Sequence, residues 1–315
     1  MPPHSPEEST RQRALDTYRI VDTLPEAAFD DIARLASMLC GAPIAAVSLI
    51  DRDRQWFKAR TGVTEHGSTR ADAVCDHAIR TPGALMEVPD LAADARFVSN
   101  PFVTGDIGAR FYAGMPLVTP SGEAIGTVCV LDRQPRTLDD SQRDALSALA
   151  RLTMNLLESH KRELALERAA LLATPAPPSP AIAQPGAAGR GHFTVAIVEL
   201  QDFAGSVQRL GERATEKAMH ALAVEFEGLL RTEKGDAIDR ATGSPEFIVV
   251  LQGEDTDAPL QRLREALPAF ERETGLCMLL GAAASQAPGE PMGTVFVRAD
   301  EALSAEKDRR YHAAH

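Results

Sequence analysis

The chain has 315 residues, of which 44% are hydrophobic, so it can bury two ordinary cores and is predicted to form two domains. Its formal net charge is −12, and no Lys/Arg cluster is interleaved with aromatic residues, which argues against nucleic acid or an anionic membrane surface as a direct partner. No apolar run is long enough to span a membrane and the first residues lack the layout of an export signal, so we expect a cytoplasmic protein.

Two helices are predicted near the start of the chain. Residues 1–9 are polar and contain prolines, which predicts a flexible tail. An amphipathic helix is predicted from Arg11, and a second helix follows Pro25 and ends at Cys40 and Gly41. The second helix should bury one stripe of apolar residues: Phe29, Ile32, Leu35, Ala36 and Leu39.

Five strand-like runs follow these helices. They cover residues 44–50, 55–60, 85–88, 110–118 and 124–131, and Ser121-Gly122 suits a hairpin turn between the last two. Helices before and after an antiparallel sheet define an α+β domain, which we place at residues 10–160.

A long helix is predicted over residues 139–173, because this segment contains no Gly or Pro and Asp139-Asp140 can cap its start. It repeats leucine at helical spacing: Leu146, Leu149, Leu152, Leu156 and Leu157. One interpretation is that the stripe packs back on its own sheet. We favour pairing with a second copy in a parallel homodimer, because the sheet can cover only part of so long a helix.

The remainder of the chain is predicted to be a linker and a second domain. Residues 174–192 are rich in Pro, Ala and Gly, which is typical of a poorly ordered linker. Residues 193–313 then alternate between strands (193–200, 237–241, 246–251, 276–284) and helices (206–231, 259–273, 292–310), which predicts an α/β domain.

Several motifs in the first domain resemble those of bacterial sensory GAF domains: Pro43-Ile-Ala-Ala-Val-Ser-Leu-Ile-Asp51, Arg54-Gln-Trp-Phe-Lys58, Cys75-Asp-His-Ala-Ile79, Arg110-Phe-Tyr-Ala-Gly-Met-Pro-Leu117 and Ile125-Gly-Thr-Val-Cys-Val-Leu-Asp132. The resemblance runs from about Arg11 to Glu158. It implies a ligand pocket between the sheet and its covering loops, with six candidate wall residues: Trp56, Phe57, Cys75, His77, Phe111 and Tyr112. Alternatively, Phe111 and Tyr112 belong to the core and Trp56 is a surface anchor.

The four cysteines occur singly, and no metal, haem or bilin attachment signature is present, so we predict neither a metal nor a cofactor. Cys75 and His77 are too close in sequence on one helix to act as a catalytic pair. Cys75 and Cys129 could be close enough for a redox-sensitive pair, as in GAF-type methionine sulfoxide reductases, although those enzymes place their cysteines differently.

The second domain resembles diguanylate cyclase (GGDEF) domains, with element order like that of nucleotide cyclases. Glu199-Leu-Gln-Asp-Phe203 and Gly243-Ser-Pro-Glu-Phe247 stand at the two active-site signatures. In that family two Mg²⁺ ions sit between a strand-end Asp and the acidic third residue of the turn. Here these positions are Glu199 and Pro245, and Ser244 replaces a glycine, so one of the two metal-binding carboxylates is missing.

Other functional positions of the family are also altered. The resemblance places Ala204 at the phosphate-binding Lys, Val207 at the guanine-binding Asn and Glu216 at the guanine-binding Asp. The product-inhibition motif Arg-x-x-Asp is replaced by Glu233-Lys-Gly-Asp236. The family-like side chains that remain are Glu246, Phe247 and Lys307. We therefore treat Glu199, Ser244, Pro245, Glu246 and Lys307 as a vestigial site with no catalytic residues.

These observations predict a bacterial signalling protein that is not an enzyme and acts by binding. We expect a GAF sensor, a degenerate GGDEF domain, a homodimer formed through the connecting helix and a protein partner. The GAF pocket could in addition accept a small-molecule effector. One alternative is an active or weakly active diguanylate cyclase that makes cyclic di-GMP from GTP. A second alternative is a domain that binds a guanine nucleotide or cyclic di-GMP without turnover.

Overall fold

A computed structural model of the chain describes residues 6–173, 191–240 and 244–314. The chain divides into two compact units, Met1–Glu163 and Leu164–His315. Most of the predicted tail (1–5), nearly all of the predicted linker (174–190), the end of the predicted strand at Ala241 and Gly243 of the turn motif lie outside the described residues.

The first two helices differ from the prediction in their start and in their buried face. Helix α1 spans Pro6–Asp16, so residues 6–9 belong to a helix rather than to a tail, and Glu8 and Arg11 are buried. Helix α2 spans Ala27–Cys40 and ends at Gly41, whose φ of 60° is favourable for glycine. Its buried face is Phe29, Ile32, Ala33, Ala36 and Cys40. The prediction was wrong for Leu35 and Leu39, which are exposed.

The first unit is built on one antiparallel sheet of six strands, in the order β3-β2-β1-β6-β5-β4. The strands are β1 Ile44–Ile50, β2 Arg54–Thr61, β3 Gly67–Thr69, β4 Met86–Val88, β5 Phe111–Val118 and β6 Ala124–Asp132. Two short helices, α3 Val74–Ala78 and α4 Pro101–Thr104, lie between β3 and β5 in the chain. The five predicted strands are confirmed, and β3 is an additional short edge strand.

Alternate residues of the central strands point into two hydrophobic clusters. Ala45, Val47 and Leu49 of β1 join the first core, which also contains residues of α1 and α2. Ala46 and Ile50 join the second core, which contains residues of α3 and α4. Strand β1 is therefore buried along its whole length, which explains its unbroken apolar sequence.

Helix α5 spans Asp140–Ala173 as one unbroken element. It begins at Asp139, whose Oδ1 accepts a hydrogen bond from the Gln142 backbone N–H at 2.8 Å, so the predicted cap is confirmed. Leu146, Leu149 and Leu157 are buried in the first core. The stripe therefore packs on its own unit at Leu146, Leu149 and Leu157, as the alternative interpretation predicts for these positions, whereas Leu152 is exposed. The homodimer itself stays a prediction.

The second unit has the element order predicted from the sequence. Its elements are β7 Phe193–Leu200, α6 Phe203–Leu210, α7 Glu212–Leu229, a 3₁₀ turn Thr232–Lys234, β8 Ala237–Asp239, β9 Glu246–Gln252, α8 Asp257–Thr274, β10 Met278–Ala284 and α9 Met292–Ala314. The single helix expected over residues 206–231 is two helices, because Gly211 has a φ of 85° that ends α6 before α7 begins.

The four strands form an antiparallel sheet in the order β10-β7-β9-β8. This is the split βαβ arrangement of ferredoxin-like folds, in which the two central strands are the first and third of the unit. Strand β7 is buried at every position, and it meets β9 on one side and β10 on the other. The mixed α+β and α/β class predicted from the sequence is confirmed.

None of the helices in the described part of the chain is both long enough and apolar enough to cross a membrane.

The burial of Leu157 can be tested by truncating its side chain. We expect Leu157→Ala to lower the free energy of unfolding of the first unit by about 3 kcal/mol, because it leaves a cavity in a closed core. The matched control Leu39→Ala removes the same atoms from a side chain that is 51% exposed and should cost less than about 0.5 kcal/mol.

The measurement is urea unfolding followed by the fluorescence of Trp56, which is the single tryptophan and packs partly buried against the first core. Equal losses in the two variants would contradict the packing of α5 on this unit.

Candidate functional site

Two glutamates face each other at the end of β7 and the start of β9. Glu199 and Glu246 are register partners across the antiparallel pair, and both are buried. Side chains directly opposite on adjacent strands lie close together, and like charges there are destabilising. Taking two such carboxylates out of water therefore requires a cation for each.

Each glutamate has its own cation from a helix. The Lys307 ammonium of α9 lies 2.7 Å from Glu199 Oε1. Gln201 Nε2 donates to the same oxygen at 3.1 Å. Arg168, near the end of α5, donates from Nη2 to both oxygens of Glu246 at 2.7 Å. The Arg168 guanidinium also lies 5.0 Å from the centre of the Phe296 ring, which holds the side chain in place.

The turn before β9, which resembles the GGDEF turn motif, is held by hydrogen bonds of its own residues. The Pro245 carbonyl accepts from the Leu200 backbone N–H at 2.8 Å. Ser244 Oγ accepts from the Glu246 backbone N–H at 3.2 Å. The Ser244 carbonyl accepts from Arg240 at 2.7 Å. Within the described residues, these polar groups of the turn are thus engaged in hydrogen bonds that hold the turn in place.

The position that the resemblance assigns to guanine binding is also occupied by an ion pair. Glu216 of α7 pairs with Arg240, and the Arg240 guanidinium lies 5.6 Å from the centre of the Phe247 ring. Ala204, which the resemblance places at the phosphate position, is a buried residue of α6. The side chains at these positions present an ion pair and a methyl group rather than groups that read a nucleotide.

Asp236, which aligns with the acidic residue of the product-inhibition motif, is a structural residue. Its side chain accepts from Arg231 Nε at 2.8 Å and from the backbone N–H groups of Arg231 and Gln252 at 3.0 and 2.8 Å. Burial alone would raise the pKa of Asp236, but these hydrogen bonds outweigh it and hold the pKa below its usual value. The carboxylate ties the turn after α7 to β9.

Three of the six predicted pocket residues of the first unit line one small cavity. Phe57, Cys75 and Tyr112 border a space of about 30 Å³ in the second core, together with Ile44, Ala46, Gln55, Val63, Glu65, Val74, Phe102, Ile107, Cys129 and Leu131. A cavity of this size has room for one or two water-sized molecules and not for a nucleotide or a tetrapyrrole.

The other three predicted residues lie elsewhere. Phe111 is part of the first core and Trp56 packs against it, on the opposite face of the sheet from the cavity. His77 makes an edge contact with Phe97, with ring centres 4.9 Å apart. Trp56 and Phe111 do not border the described cavity, because β2 and β5 alternate their side chains between the two faces of the sheet.

A larger cavity, of about 380 Å³, was not predicted from the sequence. It is bordered by Glu7, Glu8, Thr10, Arg11, Arg70, Asp76, Ile79, Arg80, Pro82, Gly122, Glu123 and Ala124. Glu8 binds Arg11 and, at 2.7 Å, Arg70, which in turn binds Asp76 at 2.8 Å. Burial alone would raise the pKa of Glu8, but the two arginines outweigh it and lower the pKa.

These charged groups are paired with one another, so the surface of the cavity that a ligand would contact is mainly apolar. No local sequence pattern marks this cavity, because its residues come from α1, the α3 region and the β5–β6 turn. Glu8 lies in the segment that was predicted to be a tail.

Comparison with known proteins identifies the first unit. Residues 24–157 match the family model of the GAF domain, so this part of the chain contains a GAF domain. The chain is 38% identical over 154 residues to a cyclic di-GMP phosphodiesterase of Pseudomonas aeruginosa, an alignment that covers 49% of this chain and 26% of that protein. The chain thus spans about a quarter of the length of this curated relative.

Two solved structures are among those that resemble the chain. A GAF sensor protein from Burkholderia vietnamiensis is 18% identical, with 49% of this chain and 98% of that chain covered and a TM-score of 0.35. A microbial GGDEF domain studied with cyclic di-GMP is 23% identical, with 38% of this chain and 72% of that chain covered and a TM-score of 0.33.

The structural role of Asp236 predicts a pH dependence. Because its pKa is lower in the folded state, Asp236 stabilises the second unit above the unfolded pKa of about 3.9, and this stabilisation is lost as the pH falls through the folded pKa. Asp236→Asn should therefore lower the free energy of unfolding of this unit by about 3 kcal/mol at neutral pH and flatten its decrease toward acid.

The measurement is urea unfolding by circular dichroism between pH 7 and about 3, with Trp56 fluorescence marking the first unit separately. Asp257→Asn, at an exposed position of α8, is the control and should leave the profile unchanged. A wild-type profile reproduced by Asp236→Asn would refute the role given to Asp236.

Proposed function

We propose that the chain is a regulatory protein of cyclic di-GMP signalling that joins a GAF sensor domain to a GGDEF-like domain without cyclase activity. The observation that carries this proposal is the pairing of Glu199 with Lys307 and of Glu246 with Arg168. The second domain would then act by binding, with a protein partner as the occupant that we favour.

The ion pairs oppose the chemistry that cyclase activity requires. Phosphoryl transfer by this class of enzyme needs divalent cations held by carboxylates, which bridge the phosphates and neutralise developing charge. The oxygens of Glu246 bind a guanidinium, and an oxygen of Glu199 binds an ammonium. A divalent ion would have to displace these cations against electrostatic repulsion, and Pro245 offers it no ligand.

The link to cyclic di-GMP rests on the relative and on the motifs. The relative that shares 38% identity is named a cyclic di-GMP phosphodiesterase, and the second domain carries the altered GGDEF signatures at Glu199 and residues 244–247. Because the alignment covers a quarter of that protein, the relative supports the signalling context and not its enzymatic activity for this chain.

The competing function is an active diguanylate cyclase, and a turnover assay distinguishes the two. We expect the purified chain, incubated with GTP and Mg²⁺, to form no cyclic di-GMP detectable by mass spectrometry, whereas an active diguanylate cyclase assayed in parallel forms it. Turnover that disappears in Glu246→Ala would overturn the proposal, since it would place that carboxylate in catalysis.

A companion measurement addresses nucleotide binding without turnover. Calorimetry with GTP, GDP and cyclic di-GMP should show no saturation, because the carboxylate of Glu216 is paired with Arg240 and the buried carboxylate of Asp236 is paired with Arg231. Saturation by one of these ligands would favour a nucleotide effector instead.

We also propose that the chain forms a homodimer through α5. Leu152 and Leu166 lie two heptads apart on this unbroken helix, and they are 51% and 72% exposed. Exposed leucines at this spacing match the seam of a parallel coiled coil. Neither of these two leucines is buried in the described hydrophobic cores.

Light scattering after gel filtration tests the dimer. The wild-type chain should have about twice the monomer mass of 33.8 kDa, and Leu152→Glu with Leu166→Glu should reduce it to the monomer. Val98→Glu, at an exposed loop residue of the first unit, should remain dimeric. A wild-type monomer at high concentration would refute this proposal.

A further inference from the structure

Cys75 and Cys129 lie side by side in the second core of the first unit. Cys75 is on α3 and Cys129 is on β6, 54 residues further along the chain. Their sulfur atoms are 3.7 Å apart, and both residues are buried. Both are free thiols.

Hydrogen-bond donors converge on the sulfur of Cys75. The Tyr112 hydroxyl and Gln55 Nε2 each donate to it at 3.3 Å. The hydroxyls of Ser48 and Thr127 are fully buried, and neither makes a hydrogen bond of ordinary geometry among the described residues. Ser48 and Thr127 are themselves register partners on β1 and β6, two residues along each strand from Ala46 and Cys129.

This surrounding makes the thiolate of Cys75 easier to form than burial alone would allow. Burial alone would raise the pKa of Cys75, but interactions with Cys129, Thr127, Tyr112 and Ser48 outweigh it and lower the pKa. A neutral thiol accepts hydrogen bonds weakly. A thiolate accepts them strongly and would give the buried hydroxyls of Ser48 and Thr127 the acceptor that they otherwise lack. The thiolate is the nucleophilic form of cysteine.

The other two cysteines have the opposite environment. Burial raises the pKa of Cys40 to about 11 and that of Cys277 to about 11. Cys40 is buried and Cys277 is half-buried, and both serve as internal references for a thiol whose pKa is not lowered.

A small reactant has a place beside the pair. Cys75 and Cys129 both border the cavity of about 30 Å³, whose lining is mostly apolar. Hydrogen peroxide is close to water in size, and a cavity of this volume holds one or two such molecules.

We propose that Cys75 and Cys129 form a dithiol that is oxidised to a disulfide by a small hydroperoxide, independently of the function proposed above for the second domain. The Cys75 thiolate attacks the terminal oxygen of the peroxide, the O–O bond breaks, and Cys75 becomes a sulfenic acid while the leaving oxyanion takes up a proton. The Cys129 thiol then attacks the Cys75 sulfur, its proton goes to the departing oxygen, and the S–O bond breaks to release water.

Electrons and atoms balance in this sequence. The two thiols lose two protons and two electrons to form one S–S bond. The peroxide is reduced to water and an alcohol, or to two waters when it is hydrogen peroxide.

The test treats the full-length protein with hydrogen peroxide, blocks free thiols by alkylation under denaturing conditions and measures the mass. We expect the protein to lose two hydrogens and two alkylation sites, and peptide mapping to show Cys75 joined to Cys129 while Cys40 and Cys277 remain alkylated. Cys40→Ser with Cys277→Ser should give the same product.

Two further variants separate the roles of the pair. Cys129→Ser should stop at the sulfenic acid of Cys75, trapped as a dimedone adduct when the oxidised protein is unfolded in the presence of dimedone. Cys75→Ser should give neither the adduct nor the disulfide. Trp56 fluorescence verifies that each variant is folded. A wild-type protein in which Cys75 and Cys129 both stay alkylatable while Cys277 is oxidised would overturn the proposal, and so would a disulfide to Cys129 that persists in Cys75→Ser.

Discussion

A carboxylate that leaves water needs a partner of opposite charge, and both units of this protein are organised by that constraint. In the second unit, Glu199 and Glu246 are forced together by the β7–β9 register, and helices α9 and α5 each supply one cation. In the first unit, Glu8 binds two arginines that connect α1 to the α3 region. These ion pairs therefore hold residues of α1, α5 and α9 at defined positions.

A carboxylate that is paired with a protein side chain differs in its chemistry from a carboxylate that binds a metal ion. Carboxylates that bind metals give an enzyme a cation that can move with the substrate. Arg168 and Lys307 are tethered to helices, and breaking a buried pair costs about 3–5 kcal/mol, so they remain with the protein. Under the resemblance to GGDEF domains, Pro245 removes one metal ligand and Lys307 occupies the other, Glu199, so both changes act in the same direction.

The fold followed from the sequence where the apolar pattern was strong, as in the continuous apolar runs of β1 and β7 and the leucine repeat of α5. The stripe of α2 was misplaced, because Leu35 and Leu39 fit the helical period as well as Ala33 and Cys40, and only the packed sheet distinguishes them. Glu199 and Glu246 could be found from their motifs. Arg168 could not, because it lies 78 residues from Glu246 and no local pattern joins them.

The enclosure of the two cysteines also bears on the return reaction. Thiol–disulfide exchange requires a thiolate to approach a sulfur atom directly, and a tripeptide thiol is far larger than a space of about 30 Å³. A disulfide between Cys75 and Cys129 would be formed by a peroxide that is small enough to enter the cavity. The thiol that must reduce it is too large to enter. Recovery would then wait for a local opening of α3, so the domain would show hysteresis and keep a record of past oxidant exposure after the oxidant has gone.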